Sequence, residues 1–254
     1  MRYEFKYIVP NNYLDPIRDY ILPFMELDRY ADGREDFQYT VRSVYFDTPS
    51  FDFYFEKIEG IKNRKKVRLR GYDEDGPEGT VFLEIKRKYD IPIVKYRSPL
   101  KFGHALEIFR EHNLNGYAIE KFSSVEGYEN SKRFFYQVFS KNLRPVVLVV
   151  YEREPYLNKF DKTVRITFDK NLRGLGFPAL ENLYSEEDLA SALHNKFIME
   201  VKFNNTFPNW LNPVISKFGL RRQSASKYVM TMDSSRVVRR LTKSTLFTHS
   251  KWYN

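Results

Sequence analysis

The sequence predicts an α+β protein: eight antiparallel strands, enough to close a β-barrel, with helices packed on the outer face. Two-residue alternation of apolar and polar side chains recurs at 2–9, 39–48, 64–72, 80–89, 92–98, 145–153, 162–169 and 196–203, which is the period of a strand with one buried face. Stretches with helical spacing lie between these runs. Phe (22) and Tyr (19) are abundant; aromatic residues favour strands and argue against a disordered chain.

In chain order, Asn11 or Asn12 can cap a helix reaching Leu22, where Pro23 stops it. Loop 28–37 follows. Thr48-Pro-Ser-Phe-Asp opens a second helix, with Thr48 or Ser50 as its cap. The turn-forming run 73–79 (DEDGPEG) joins two strands as a hairpin, and a second tight turn is expected from Asp90 to Pro92. Phe134, Phe135, Val138 and Phe139 share a helical face within 128–141. Ser185-Glu-Glu-Asp places acids where a helix dipole favours them, so a short helix is expected there. Segments 208–218 and 226–240 read as helices. No internal repeat or domain boundary is visible, so residues 1–254 are read as one domain with a core over about 2–240 and a tail over 241–254.

Lys plus Arg number 42 and Asp plus Glu 33, a net charge of +9, and the pI is about 9.4. Such an excess implies an anionic partner. With no cysteine, a disulfide framework, a thiol nucleophile, a zinc–thiolate site and an iron–sulfur cluster are all excluded. MRYEFKYIVP carries charges where a signal peptide needs an apolar core, and the longest apolar run, 145–151, is strand-sized. A soluble, cytoplasmic protein without a membrane span is expected. Walker A and G-x-S-x-G motifs are missing. The run from Gly174 to Ala179 only loosely resembles a dinucleotide loop, because Pro178 and the lack of a βαβ context weigh against it. His104, His112, His194 and His249 show no ligand spacing.

The placement of charge narrows the partner. Residues i and i+2 of a strand share a face. Arg2, Glu4 and Lys6 lie opposite Tyr3, Phe5 and Tyr7; Lys66, Arg68 and Arg70 lie opposite Val67 and Leu69. Glu84, Lys86 and Lys88, then Lys95 and Arg97, then Arg165, then Glu200 and Lys202 repeat the pattern. If the sheet closes, these rows line its interior and concentrate cations around a few acids. Like charges at low dielectric repel strongly, so such an interior suits a multiply charged anion, and phosphate oxygens match the guanidinium fork. If the sheet stays open, the same rows are a solvated face. RNA is disfavoured, since the aromatics mainly occupy the faces opposite the charges.

At these residues the sequence resembles a known family. RYEFKYIVP (2–10), RSVYFDTPSFDFYFEKI (42–58), KVRLRGY (66–72), VFLEIKRK (81–88), VKYR (94–97), RPVVLVVYERE (144–154), VRITFDKNLRG (164–174), MEVKF (199–203) and SASKY (224–228) resemble, in order, the VTC domain. That is the polyphosphate polymerase domain of the vacuolar transporter chaperone complex, in the triphosphate tunnel metalloenzyme (CYTH-like) superfamily. The resemblance implies a closed eight-stranded antiparallel tunnel. Its basic residues would hold a triphosphate and its acids Mn²⁺ or Mg²⁺, and the reaction would transfer the γ-phosphoryl group of ATP to a growing polyphosphate chain.

Carried over residue by residue, the resemblance assigns Lys6, Arg68, Arg70, Lys86 and Arg165 to catalysis. It assigns Lys95, Arg97, Lys202, Ser226 and Lys227 to phosphate binding and Glu200 to the metal, with Glu84 or Glu4 assisting; Arg153 is a secondary phosphate-binding candidate from its place at the end of a strand run. Lys66, Lys88 and Arg2 are expected near the rim. The superfamily's first-strand E-x-E-x-K reads Arg2-Tyr-Glu4-Phe-Lys6 here, which replaces one metal ligand by a cation and leans away from two-metal hydrolysis. Two other functions stand beside polymerisation: a metal-dependent triphosphatase acting on inorganic triphosphate or nucleoside triphosphates, and a non-catalytic polyphosphate- or polyanion-binding module.

Overall fold

All eight expected runs are strands in the computed structural model, which describes residues 2–34, 36–73, 76–89, 93–112, 122, 124–235 and 237. They are β1 (Arg2–Pro10), β3 (Tyr39–Asp47), β4 (Arg64–Tyr72), β5 (Thr80–Lys88), β6 (Ile93–Lys101), β7 (Arg144–Asn158), β8 (Arg165–Gly176) and β10 (Lys196–Asn204). Two short strands were not expected: β2 (Met25–Leu27) pairs with β7 and β9 (Ala190–Ser191) with β8. The antiparallel hydrogen-bonded path runs β1-β10-β8-β7-β3-β4-β5-β6.

The sheet therefore has ten strands, and among the described residues hydrogen bonds do not close it. This corrects the expected closed eight-stranded barrel. The two edges are β1 and β6, and both turn cations to the concave face: Lys6 on one, Lys95 and Arg97 on the other. Alternation fixes which face a residue takes but not which strands pair, so closure did not follow from it. The sheet still curls far enough for β1 to share a cavity with β4 and β5.

Helices cover the convex face. Val44, Phe46, Val67, Leu69, Leu83 and Ile85 pack under α2 (Asp52–Ile58), α3 (Phe102–Glu111) and α4 (Val125–Ser140). Tyr7, Val9, Ile166, Phe168, Met199 and Val201 pack under α1 (Leu14–Ile21) and α5 (Asn212–Lys217). The third apolar cluster lies on the concave face, where Tyr228 and Met232 of α6 (Lys227–Ser234) meet Val147, Val149, Leu172 and Ile198. Thus α6 sits inside the curl while the other helices sit outside it.

Local chemistry explains the starts. The Thr48 hydroxyl accepts from Asp52 N at 3.0 Å, and the buried Asp47 carboxylate accepts from the amides of Thr48, Phe53 and Tyr54, so α2 begins on two side-chain acceptors. Ser124 caps α4 by accepting from Gly127 N at 2.9 Å. The first helix follows a 3₁₀ turn at Asn11–Tyr13, without a side-chain cap. The helix expected at 185–188 does not form. The Glu186 carboxylate is drawn instead to Arg42 and Arg173, and Asp188 takes a left-handed φ of 57°. The expected turn at 90–92 and tail at 241–254 fall outside the described residues.

Candidate phosphate-binding site

Strand parity carries the charged rows to the concave face, and the register decides which charges meet. Lys6 lies opposite Glu200, Glu4 opposite Lys202, and Lys202 opposite Arg165. Arg68 lies opposite Glu84, Lys66 opposite Lys86, and Glu84 opposite Arg97. Two carboxylates become the centres of separate cationic clusters.

Glu84 anchors the first. It receives Arg68 Nε at 2.7 Å, Lys95 Nζ at 2.6 Å and Arg97 Nε at 3.3 Å. Burial alone would raise its pKa, but Arg68, Arg70 and Lys95 hold it far below the carboxylate range. Arg68 also donates to the Tyr45 hydroxyl at 2.9 Å, and Arg70 donates to Ser43 at 3.0 Å.

Glu200 anchors the second. Its Oε1 takes Lys6 and Lys227, both at 2.8 Å, and Arg153 and Lys202 stand 3.6 Å from Oε2. Asp169, fully buried beside it, takes a bidentate pair from Arg153 at 2.6 and 2.8 Å and also contacts Lys227. Glu4 reaches Lys6 at 3.5 Å and Lys202 at 3.7 Å. Burial opposes ionisation of Glu200, and Lys227, Lys6, Lys202 and Arg153 overcome it. Conversely, burial would lower the Lys227 ammonium, and Asp169 and Glu200 raise it above the lysine range.

The position of α6 makes this second cluster possible. Tyr228 donates to Asp47 at 2.6 Å and Tyr54 to Asp233 at 2.6 Å, tying α6 to β3 and α2. A Cβ on Gly174 would overlap the Leu148 carbonyl oxygen and the Thr231 methyl, and one on Gly176 would stand 2.6 Å from Val237 Cγ2. Gly174 thus lets α6, and Gly176 the residues just after it, approach β8, a role in packing unlike that of a dinucleotide loop. With α6 seated, Lys227 enters the Glu200 cluster and Ser226 accepts from Lys66 at 3.1 Å.

Lys66, Arg70 and Lys86 are inward cations with no carboxylate within 4.0 Å among the described residues, and Arg2, Arg64 and Lys88 at the cavity wall are in the same position. Burial lowers the Lys66 ammonium to about 8, with Lys6, Lys86 and Arg68 pushing the same way and Tyr45 opposing. For the Tyr45 hydroxyl, burial is outweighed by Arg68, Lys66 and Arg70, which bring it down to about 7. A cavity of about 690 Å³ opens here, lined by Glu4, Lys6, Lys66, Lys86, Lys88 and Ser226 together with Lys57, Arg64 and Arg222.

Of the fourteen candidate site residues read from the sequence, twelve belong to the two clusters or to this cavity, and Arg70 stands beside them on the hydroxyl of Ser43. Arg165 shares the concave face but pairs with Asp28 at 3.2 Å. Arg153, on the extended end of β7, points inward to Asp169. Lys66 is a wall residue with a buried amine, and Lys88 and Arg2 line the cavity. Sequence reading missed Asp169 and Tyr45. Asp169 extends the Arg165–Thr167 parity by one step, a usable signal; Tyr45 lay among apolar neighbours and gave none.

No group of three or more metal-ligating side chains gathers among the described residues. Glu84 belongs to the first cluster, whereas Glu4 and Glu200 share Lys6 and Lys202 as partners. Two hard oxygen donors beside this cationic row fit Mg²⁺ or Mn²⁺, since such ions are commonly held by one or two carboxylates with substrate oxygens and water completing the shell.

The chain is 24% identical over 258 residues to vacuolar transporter chaperone complex subunit 4 of Schizosaccharomyces pombe, covering 85% of this chain and 34% of that protein. It is 22% identical over 211 residues to subunit 4 of Trypanosoma cruzi, covering 69% of this chain and 25% of that protein. It thus spans about a third or less of the length of these relatives. Among solved structures it is similar to a candidate adenylate cyclase of Bacillus halodurans (TM-score 0.48, 11% identity, 88% of this chain and 92% of that one). It is also similar to HpAC1 of Hippeastrum, described as having a dominant triphosphatase activity (TM-score 0.49, 13% identity, 92% and 96%). The VTC domain profile matches residues 1–236, and the chain belongs to the VTC domain family.

Proposed function

We propose that this domain is a polyphosphate polymerase that transfers the γ-phosphoryl group of ATP to the end of an inorganic polyphosphate chain. One observation supports this most: Lys66, Arg70 and Lys86 face the concave side without a carboxylate, between cations held ready by Glu84 and Glu200. A linear oligophosphate supplies the missing negative charge along that row. Membership of the VTC domain family, for which the sequence resemblance implies this reaction, supports the same reading.

In the transfer, a terminal oxygen of the chain attacks the γ-phosphorus, the bond to the β-bridging oxygen breaks, and ADP leaves. Such reactions depend on alignment and charge neutralisation more than on covalent help. Arg68 and Arg70 fork non-bridging oxygens of the transferred group. Lys6, Lys66, Lys86, Lys95, Lys202 and Lys227 neutralise the chain along the strands, and Ser226 can donate its hydroxyl to a phosphate oxygen. Arg97 and Arg153 flank these groups, and Arg165 extends the cationic face toward Asp28. Glu84 and Glu200 keep the cations separated and oriented before substrate arrives. The acceptor is already an anion at neutral pH, so no general base is needed. Glu200 and Glu4 would hold a divalent ion, which when bound supplies further neutralisation of phosphate oxygens.

The test is incubation of purified protein with ATP and Mn²⁺, followed by analysis of both products. ADP together with chains longer than three phosphates is expected. Phosphate release without chains makes the domain a triphosphatase, and binding without turnover makes it a polyanion module.

A further inference from the structure

The charged face changes character at one end. On β5 the inward row reads Phe82, Glu84, Lys86, Lys88, so an aromatic ring takes the position before the Glu84 cluster. Its register partner on β4 is Arg70, and Tyr72 follows Arg70 on the same face. Tyr72 in turn meets Tyr39 of β3. The centroids stand 5.8 Å apart in both the Tyr39–Tyr72 and Tyr72–Phe82 pairs, edge to face at 69° and 76°. In an edge-to-face pair one ring presents only its edge, so at most one face of the other is covered.

Phe82 belongs to none of the three apolar clusters and is only half-buried. Its partner is a guanidinium: Arg97 Cζ lies 3.5 Å from the ring centroid. Arg97 is held in place by Glu84 at 3.3 Å and by the Tyr72 hydroxyl at 3.5 Å, yet 40% of its side chain stays in solvent. A planar cation stacked on a ring and open on its other side is a surface on which a nucleobase stacks.

We infer that Phe82, Tyr72 and Arg97 form a nucleobase subsite at the end of the phosphate row, so that the donor is a nucleoside triphosphate held at both ends. This rests on the phosphate-binding reading above and adds the residues that hold the donor's base. Phe82 and Glu84 are two residues apart on an extended strand, roughly 7 Å, the reach of a ribose. The phosphates lie over Arg68, Arg70, Lys66 and Lys86 while the base lies over the Arg97–Phe82 stack. Recognition by stacking does not read base edges, so ATP and GTP are held alike.

Calorimetric titration of ATP and of inorganic tripolyphosphate against wild type, Phe82→Leu and Phe82→Tyr tests the subsite. Phe82→Leu is expected to weaken ATP about tenfold, as loss of a stacked base does, while tripolyphosphate stays within about twofold of wild type. Phe82→Tyr, which keeps an aromatic face, is expected to keep the ATP affinity. Equal weakening of both ligands by Phe82→Leu would mean that the ring only props Arg97, and would overturn the inference, as would no change in either. In both of those outcomes wild-type tripolyphosphate binding leaves the phosphate site standing. A wild-type protein that binds neither ligand would overturn both.

Discussion

Arg68 holds the most exacting position among the inward cations, because it touches Glu84 and Tyr45 at once and lies beside Arg70. Replacing Arg68 by Ala removes a preoriented donor and leaves Glu84 paired with Lys95 and Arg97. Turnover is expected to fall by about 10²–10³ while the thermal transition stays cooperative; wild-type turnover would remove Arg68 from the transfer step. Lys66 and Tyr45 give a pH signature. A bound polyanion favours the ammonium of Lys66 and the neutral phenol of Tyr45, which in the free protein titrate at about 8 and about 7. The complex therefore holds more protons than the free protein, and tripolyphosphate affinity falls as pH rises from about 7 to about 9. Lys66→Met is expected to flatten the upper part of that profile in a calorimetric pH series; an unchanged slope would contradict the assignment. Most inward cations were legible in the sequence because parity alone sets the face of a strand residue. The pairings were not, because which cation meets Glu84 and which meets Glu200 is fixed by register, and register is a relation between distant segments.

At the scale of elements, α6 couples packing to chemistry. It was legible as a helix but not as an occupant of the concave face, because nothing local distinguishes a helix that covers a sheet from one that its curl encloses. The two β8 glycines were the clue, since strand interiors disfavour glycine unless another chain approaches closely. Gly174→Ala places a methyl against the Leu148 carbonyl and Thr231. It is expected to destabilise the fold by at least about 2 kcal/mol in denaturant unfolding, and to lower activity further by displacing Lys227. Tyr228→Phe is milder: it removes one of the four hydrogen bonds that Asp47 accepts and is expected to cost about 1–3 kcal/mol in the same measurement. The absent helix at 185–188 teaches the converse. Its acids suited a helix start, but Glu186 gains more from Arg42 and Arg173, whose guanidinium groups converge on it, than from a dipole.

For the whole molecule, eight of the ten strands and the outer helices were visible from periodicity, whereas the two short strands and the open edges were not. Closure depends on whether β1 and β6 pair, a relation between distant segments that alternation does not encode. The result is a curled sheet with a charged concave face and no helix, among the described residues, long and apolar enough to cross a membrane. The central claim is that this face grips a linear oligophosphate. A crystal structure of the protein with bound inorganic tripolyphosphate tests it most directly. Phosphate density is expected between Arg68 and Arg70 on one side and Lys6 and Lys227 on the other, with Lys66 and Lys86 within hydrogen-bonding distance. Tripolyphosphate bound only on the convex side, with both carboxylate-centred clusters undisturbed, would contradict it.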